Sequence, residues 1–224
     1  MAITTCPGIE VWGDILNSDK YNMFIMAVEN SNLFHGDHFQ GFKKHADADY
    51  VSRILNHYKF VRRGPIEIDF DHKQPIGYAM IVNPELKKVF AYQRSQKGGE
   101  ERLHDKWSWG IGGHIEKVEE RIKDPIKASL LRELNEEVEM DGKVLGVRVL
   151  GYINDDLDEV GRVHFGILYI IDTDSTRIEP KDHEIKSGGF KSIGELEEIC
   201  ASAEFTVEGW SGIALEPLKE YLTK

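Results

Sequence analysis

Cysteine is almost missing from this chain: only Cys6 and Cys200 occur, far apart and with no metal or redox spacing around either. A disulfide framework is therefore not expected, and a reducing cytoplasm is the expected compartment. Long apolar runs are absent as well, so no segment is expected to cross a membrane, and no basic start followed by an apolar stretch marks a signal peptide. Positive charge is scarce, with 28 Lys and Arg against 39 Asp and Glu and a formal net charge of -11. A general nucleic-acid binder needs a basic surface, so nucleic acid is not the expected partner. A phosphorylated ligand would need metal ions or a few well-placed cations. There is no internal repeat or low-complexity segment, and 41% hydrophobic residues suffice for a globular core.

What the chain does have is acid in one place. Gly112 to Met140, GGHIEKVEERIKDPIKASLLRELNEEVEM, carries seven Glu and one Asp around a predicted helix. At about 100° per residue, Glu133, Glu136 and Glu137 share one arc of that helix, while Ile126, Leu130, Leu134 and Val138 occupy the arc beside it. The apolar arc can bury and the acidic arc can bind. Three carboxylates at i, i+3 and i+4 repel one another, which calls for a compensating cation unless the run is simply a solvated face. Asp124-Pro125 reads as an N-cap followed by proline at the first helical position, so the helix starts near Pro125 and residues 119–123 belong to the loop before it.

Elsewhere the pattern alternates between the strand and helix periods. Residues 46–61 read as an amphipathic helix with Tyr50, Ile54, Leu55, Tyr58 and Val61 on one face. Ile76 to Val82 and Val89 to Tyr92 read as a hairpin around Asn83-Pro84-Glu85-Leu86. Val144 to Tyr152 and Val163 to Ile171 read as two further strands joined by a polar turn, the second apolar on both sides as a central strand would be. Ser192 and Glu195 form a capping box for one helix, and a last helix covers Trp210 to Leu222. The segment 179–189 reads as a polar loop. His35, His38 and His45 match no zinc spacing, and Arg62-Arg63 before Gly64-Pro65 reads first as a surface turn with local ion pairs and second as a phosphate clamp.

The acidic stretch resembles the signature of the Nudix (MutT-like) hydrolases: Gly, five residues, Glu, seven residues, then Arg-Glu-apolar-any-Glu-Glu-any-Gly-apolar. Gly113, Glu119, Arg132, Glu133, Leu134, Glu136, Glu137 and Met140 fill these places. Two departures stand out. Twelve residues rather than seven separate Glu119 from Arg132, and Glu139 stands where the family has Gly. The resemblance covers roughly residues 74–200 and is closest to a bacterial branch described as predicted phosphoesterases.

That resemblance implies an α/β (α+β) fold, a Nudix-type α/β/α sandwich with a mixed central sheet, here residues 71–224 behind an N-terminal extension of residues 1–70. It implies Mg²⁺ or Mn²⁺ held by Glu133, Glu136, Glu137 and a backbone carbonyl of the glycine turn, Gly113 or its neighbour Gly112. Hard oxygen ligands suit those ions. The implied activity is hydrolysis of a diphosphate linkage in a nucleoside diphosphate derivative or a related small phosphorylated metabolite. Arg132 would hold a box glutamate, Glu119, in place. Arg94 and Arg102 are the candidates for substrate contact. For the base, Glu184 stands first, with His183, Glu119 and Glu120 behind it.

Two other readings carry different chemistry. A non-catalytic Nudix-like module would bind a nucleotide or metabolite and regulate something, although such modules commonly lose box glutamates that are retained here. An isopentenyl diphosphate isomerase would share Trp107 and His114, but its catalytic cysteine position is Gly112 in this chain. A homodimer is left open.

Overall fold

The computed structural model describes residues 19–96, 103–119, 122–181 and 183–223. In chain order the strands are β1 (Phe24–Glu29), β2 (Gly41–Lys44), β3 (Lys59–Arg62), β4 (His72–Asn83), β5 (Lys88–Arg94), β6 (Trp107–Ser108), β7 (Val138–Met140), β8 (Val144–Asn154), β9 (His164–Thr173), β10 (Ile178–Pro180) and β11 (Ile185–Ser192). The longer helices are α1 (Tyr50–His57), α2 (Pro125–Glu137), α3 (Ile193–Ala201) and α4 (Gly209–Leu222). The main sheet runs β11-β5-β4-β9-β8-β2. Its centre, β4 with β9, is parallel, while β8 with β9 and β11 with β5 are antiparallel, which makes the sheet mixed.

Strand alternation decides what lies on each face. Ala79, Ile81, Phe165, Ile167 and Tyr169 point to one side and meet Ile126, Leu130 and Leu134 of α2 together with Tyr50 and Ile54 of α1. Tyr78, Met80, Leu168 and Ile170 point to the other and meet Leu196 and Ile199 of α3 and Trp210, Leu218 and Leu222 of α4. The result is the expected α/β/α sandwich, with β4 and β9 buried on both faces. Residues before position 70 join the same structure: β1 pairs with β3 and, at Val28 and Glu29, with β4, and β2 pairs with β8.

The helix expected over residues 46–61 is shorter than its pattern. It is α1 alone, capped by the Asp49 side chain on the Ser52 amide at 3.0 Å, and Lys59–Arg62 forms β3 instead. Phe60 and Val61 pair with Met26 and Ile25 of β1, so tertiary pairing overrides the helical period; Tyr58 still packs with Tyr50 and Ile54, whereas Val61 leaves that face for Ile25, Ala27 and Ile66. The expected hairpin is narrow: β4 meets β5 at Val82–Val89 and Asn83–Lys88, while its other edge pairs with β9 from Gln74 to Val82. The polar loop expected over residues 179–189 is largely strand where it is described: Glu179 pairs with Glu139 between β10 and β7, and β11, from Ile185, lies along β5; Asp182 lies outside the described residues.

Around α2 the local chemistry agrees with the sequence. Asp124 caps the helix by accepting from the Lys127 amide at 3.0 Å, and Pro125 opens it. At its far end Val138 is extended (φ -138°, ψ 154°) and the chain runs straight into β7. No left-handed cap forms there, so a glycine at position 139 would have no task. Lys73 is fully buried in β4, and its ammonium donates to Asp156 at 2.6 Å and to the Gly161 carbonyl at 2.8 Å. Burial pulls its pKa down despite that partner.

These two polar anchors should differ in cost. Asp124→Ala removes one cap and should lower stability by about 0.5 to 2 kcal/mol. Asp156→Ala strands a buried ammonium and should cost roughly 3 to 5 kcal/mol. Urea unfolding at neutral pH measures both, and an Asp156 penalty no larger than that of Asp124 would contradict the anchoring role of Lys73.

Candidate active site

The apolar face of α2 is sealed against β4, which turns its acidic face outward to the rim of the sheet. There the glycine turn after β6 crosses it. A side chain at Gly113 would put its Cβ 2.3 Å from the Glu133 carboxylate, and one at Gly112 would stand 2.3 Å from the Gly77 carbonyl. Only glycines let the turn lie this close to both the helix and the sheet. Arg132 ties the two pieces together. Its guanidinium donates to the His114 carbonyl at 3.1 Å and pairs with Glu133 at 2.8 Å and Glu136 at 3.0 Å, with Glu116 at 3.9 Å.

The three carboxylates differ in exposure. Glu136 is open to solvent, Glu133 has only 15% of its side chain exposed, and Glu137 is buried. Burial, the largest influence, pushes the Glu133 pKa up against the pull of Arg132, and the neighbouring Glu136 and Glu116 add to the rise. Carboxylates outnumber the guanidinium set directly between them, a surplus that a divalent cation would suit. Carboxylate oxygens and the nearby turn backbone suit a hard ion such as Mg²⁺ or Mn²⁺.

All three carboxylates border a cavity of about 490 Å³. Gly113, Arg94 and Glu184 border it too, so the sequence-predicted residues come together from four separate segments. Arg94 holds Glu184 at 2.9 Å. Glu119 ends a short 3₁₀ turn, but its side chain lies outside the described residues, as do Glu120 and Arg102. His183 borders a separate hollow with Ser95 and Asp105 and is not among the residues that line the cavity.

Several lining residues had no signal of their own in the sequence. Lys20 and Lys106 add positive charge, as does Arg63, which reaches the cavity while pairing with Glu67 at 2.8 Å. Tyr78 and Trp210 form an edge-on aromatic wall with centroids 5.5 Å apart. Glu208, just ahead of α4, has one carboxylate oxygen shut off from solvent and without a hydrogen bond among the described residues. Burial pushes its pKa up against the pull of Arg94. Only Arg63 was legible beforehand, as the second reading of a basic turn. Among the described residues the one set of three candidate metal ligands within 4.8 Å of one another is Glu67, His114 and His164. His35, His38 and His45 form no such group there.

No family model matches the chain. Protein YmaB of Bacillus subtilis (strain 168) is 36% identical over 155 residues, which are 67% of this chain and 74% of YmaB. Among solved structures, Tm1382, described as a candidate Nudix hydrolase, aligns with a TM-score of 0.72 at 26% identity over 88% of this chain and 99% of its own. The Nudix domain of Shewanella oneidensis NrtR, solved with ADP ribose, aligns with a TM-score of 0.51 at 14% identity over 67% of this chain and 88% of its own. The last shares the fold alone.

The raised pKa of Glu133 has a sign that can be checked. Because the folded-state value lies above the unfolded one, the ionised carboxylate costs stability at neutral pH, and the cost fades as pH falls below the ordinary Glu value. Glu133→Gln should therefore raise the thermal midpoint in chelator at about pH 7, and the gain should shrink toward about pH 4. A variant less stable than the parent at neutral pH would contradict this.

Proposed function

The chain belongs to the Nudix hydrolase superfamily, and from that premise we propose that it is a Mg²⁺- or Mn²⁺-dependent hydrolase of a diphosphate linkage in a nucleoside diphosphate derivative or a related small phosphorylated metabolite. The observation that carries this reading is the convergence of Glu133, Glu136 and Glu137 with the Gly113 turn on one cavity that also holds Arg94, Lys106, Arg63 and Lys20. The same cavity can take a cation at its carboxylates and an anion at its basic side chains.

Glu133, Glu136, Glu137 and the Gly113 carbonyl would hold the ion, which when bound offsets phosphate charge and acidifies a water. Arg132 fixes the distance between turn and helix through the His114 carbonyl and keeps Glu133 and Glu136 from swinging away. Arg94 faces the phosphate chain, since a planar guanidinium matches its oxygens. Glu184 is our choice for the group that accepts the proton: it borders the cavity and Arg94 holds it in place. Tyr78 and Trp210 offer an aromatic surface for the part of the substrate that does not react. ADP ribose, the ligand in the NrtR structure, is a natural first compound to try. The cytoplasm suits such a substrate.

Retention of all three box carboxylates in a formed cavity favours catalysis over a purely regulatory module. An isomerase is disfavoured twice, since Gly112 supplies no thiol and a side chain there would collide with the Gly77 carbonyl.

Purified protein, a panel of nucleoside diphosphate derivatives including ADP ribose, and Mg²⁺, Mn²⁺ or chelator form the test. Glu136→Gln should lower the rate about a hundredfold or more with the circular dichroism spectrum unchanged; near-parental turnover at saturating metal would remove the basis of the proposal. In the same assay Glu184→Gln should remove the acidic limb of the pH–rate profile. If that limb survives in Glu184→Gln and vanishes in Glu208→Gln, the base is Glu208.

A further inference from the structure

The cavity has a second cluster of ligating atoms that the box chemistry does not use. Gln74 and His164 are register partners in the β4–β9 pairing, and His114 bridges to Ile76 on the same strand. Three backbone segments thus bring the two imidazoles together before any rotamer is chosen. Their rings lie 5.2 Å apart, with the two Nε2 atoms at 3.1 Å. Glu67, at the end of the short helical turn Arg63–Ile66, brings a carboxylate oxygen within 4.8 Å of both.

The tautomer of His164 is fixed by its surroundings. Its Nδ1 stands 2.6 Å from the Val160 carbonyl, and a carbonyl can only accept, so Nδ1 carries the proton. In the neutral ring the Nε2 lone pair then points toward His114. An imidazole that donates one N–H to a backbone carbonyl and offers the other nitrogen is the usual arrangement of a metal-bound histidine. The spacing agrees as well. Two nitrogens on one tetrahedral zinc at its normal bond length stand roughly 3.3 Å apart, close to the 3.1 Å seen here. The Glu67 oxygen is at most roughly 1.5 Å beyond that separation, within the swing of its side chain, and Arg63 orients it through Oε1 at 2.8 Å.

We propose that Glu67, His114 and His164 form a second metal site in the cavity wall, for a zinc-class transition-metal ion rather than Mg²⁺. Two imidazoles and one carboxylate select such ions, whereas the box carboxylates select hard ones. Three protein ligands leave a fourth position open. His114 and His164 both border the cavity, which puts that position on the substrate side, where it would receive an anionic oxygen. The competing arrangement is a metal-free network in which His114 Nε2–H donates to Gln74 Oε1 at 2.7 Å and to His164 Nε2. The site does not depend on the hydrolytic reading.

Cobalt(II) added to metal-stripped, tag-free protein in a large excess of Mg²⁺ distinguishes the two. One equivalent should bind with visible absorption, resist displacement by Mg²⁺, yield to Zn²⁺, and persist in Glu136→Gln. Glu67→Gln and His164→Gln should each weaken it by at least about tenfold, the usual loss when even an outer partner of a site is removed. If the buried His164 variant fails to fold, Glu67→Gln decides, because Glu67 is partly exposed. No cobalt binding, displacement by Mg²⁺, or unchanged affinity in Glu67→Gln would overturn the proposal and leave the hydrogen-bonded network as the role of these residues.

Discussion

Three carboxylates on adjacent turns of one helix have to be held against their own repulsion, and much of the molecule answers that constraint. In water the repulsion is small. At the rim of this sheet Glu133 and Glu137 are largely withdrawn from solvent, where it grows. Arg132 supplies one opposing charge and also donates to the His114 carbonyl and the Ser129 hydroxyl, so the group that pairs with the helix carboxylates also fixes the turn facing it. Glycine at 112 and 113 is the steric counterpart of that contact. So dense a set of carboxylate oxygens suits a divalent ion.

The sandwich exists to present this arrangement rigidly. β4 is flanked by β9 along nine residue pairs and is buried on both faces, and it touches every part of the site: Ile76 and Tyr78 border the cavity, Gly77 supports the glycine turn, and Lys73 anchors the segment before β9 through Asp156 and Gly161. An ammonium that deep is costly. Its position suggests that holding residues 156–161 beside the cavity matters more to this chain than the stability lost.

Local chemistry was the legible part of the sequence. The Asp124 cap, the Ser192–Glu195 capping box and the two-faced character of β9 depend on neighbours a few residues away, and each is found as read. What failed depended on distant partners. Lys59 to Val61 satisfy a helical period and a strand period alike, and β1 decides for strand. Glu179 looks like a loop residue until β7 is available to pair with it. The carboxylates of the box were visible because their spacing is periodic, whereas Glu208, Lys20 and His164 reach the cavity from the chain's two ends and its middle, with no spacing to betray them.

Whether Glu133, Glu136 and Glu137 together make a hard-metal site decides the chemistry of the cavity. Mn²⁺ binding, followed by electron paramagnetic resonance in parent protein and in a variant with all three changed to Gln, measures it directly. Bound Mn²⁺ is expected in the parent and should be lost from the triple variant while the fold persists. Undiminished Mn²⁺ affinity in the triple variant would contradict it.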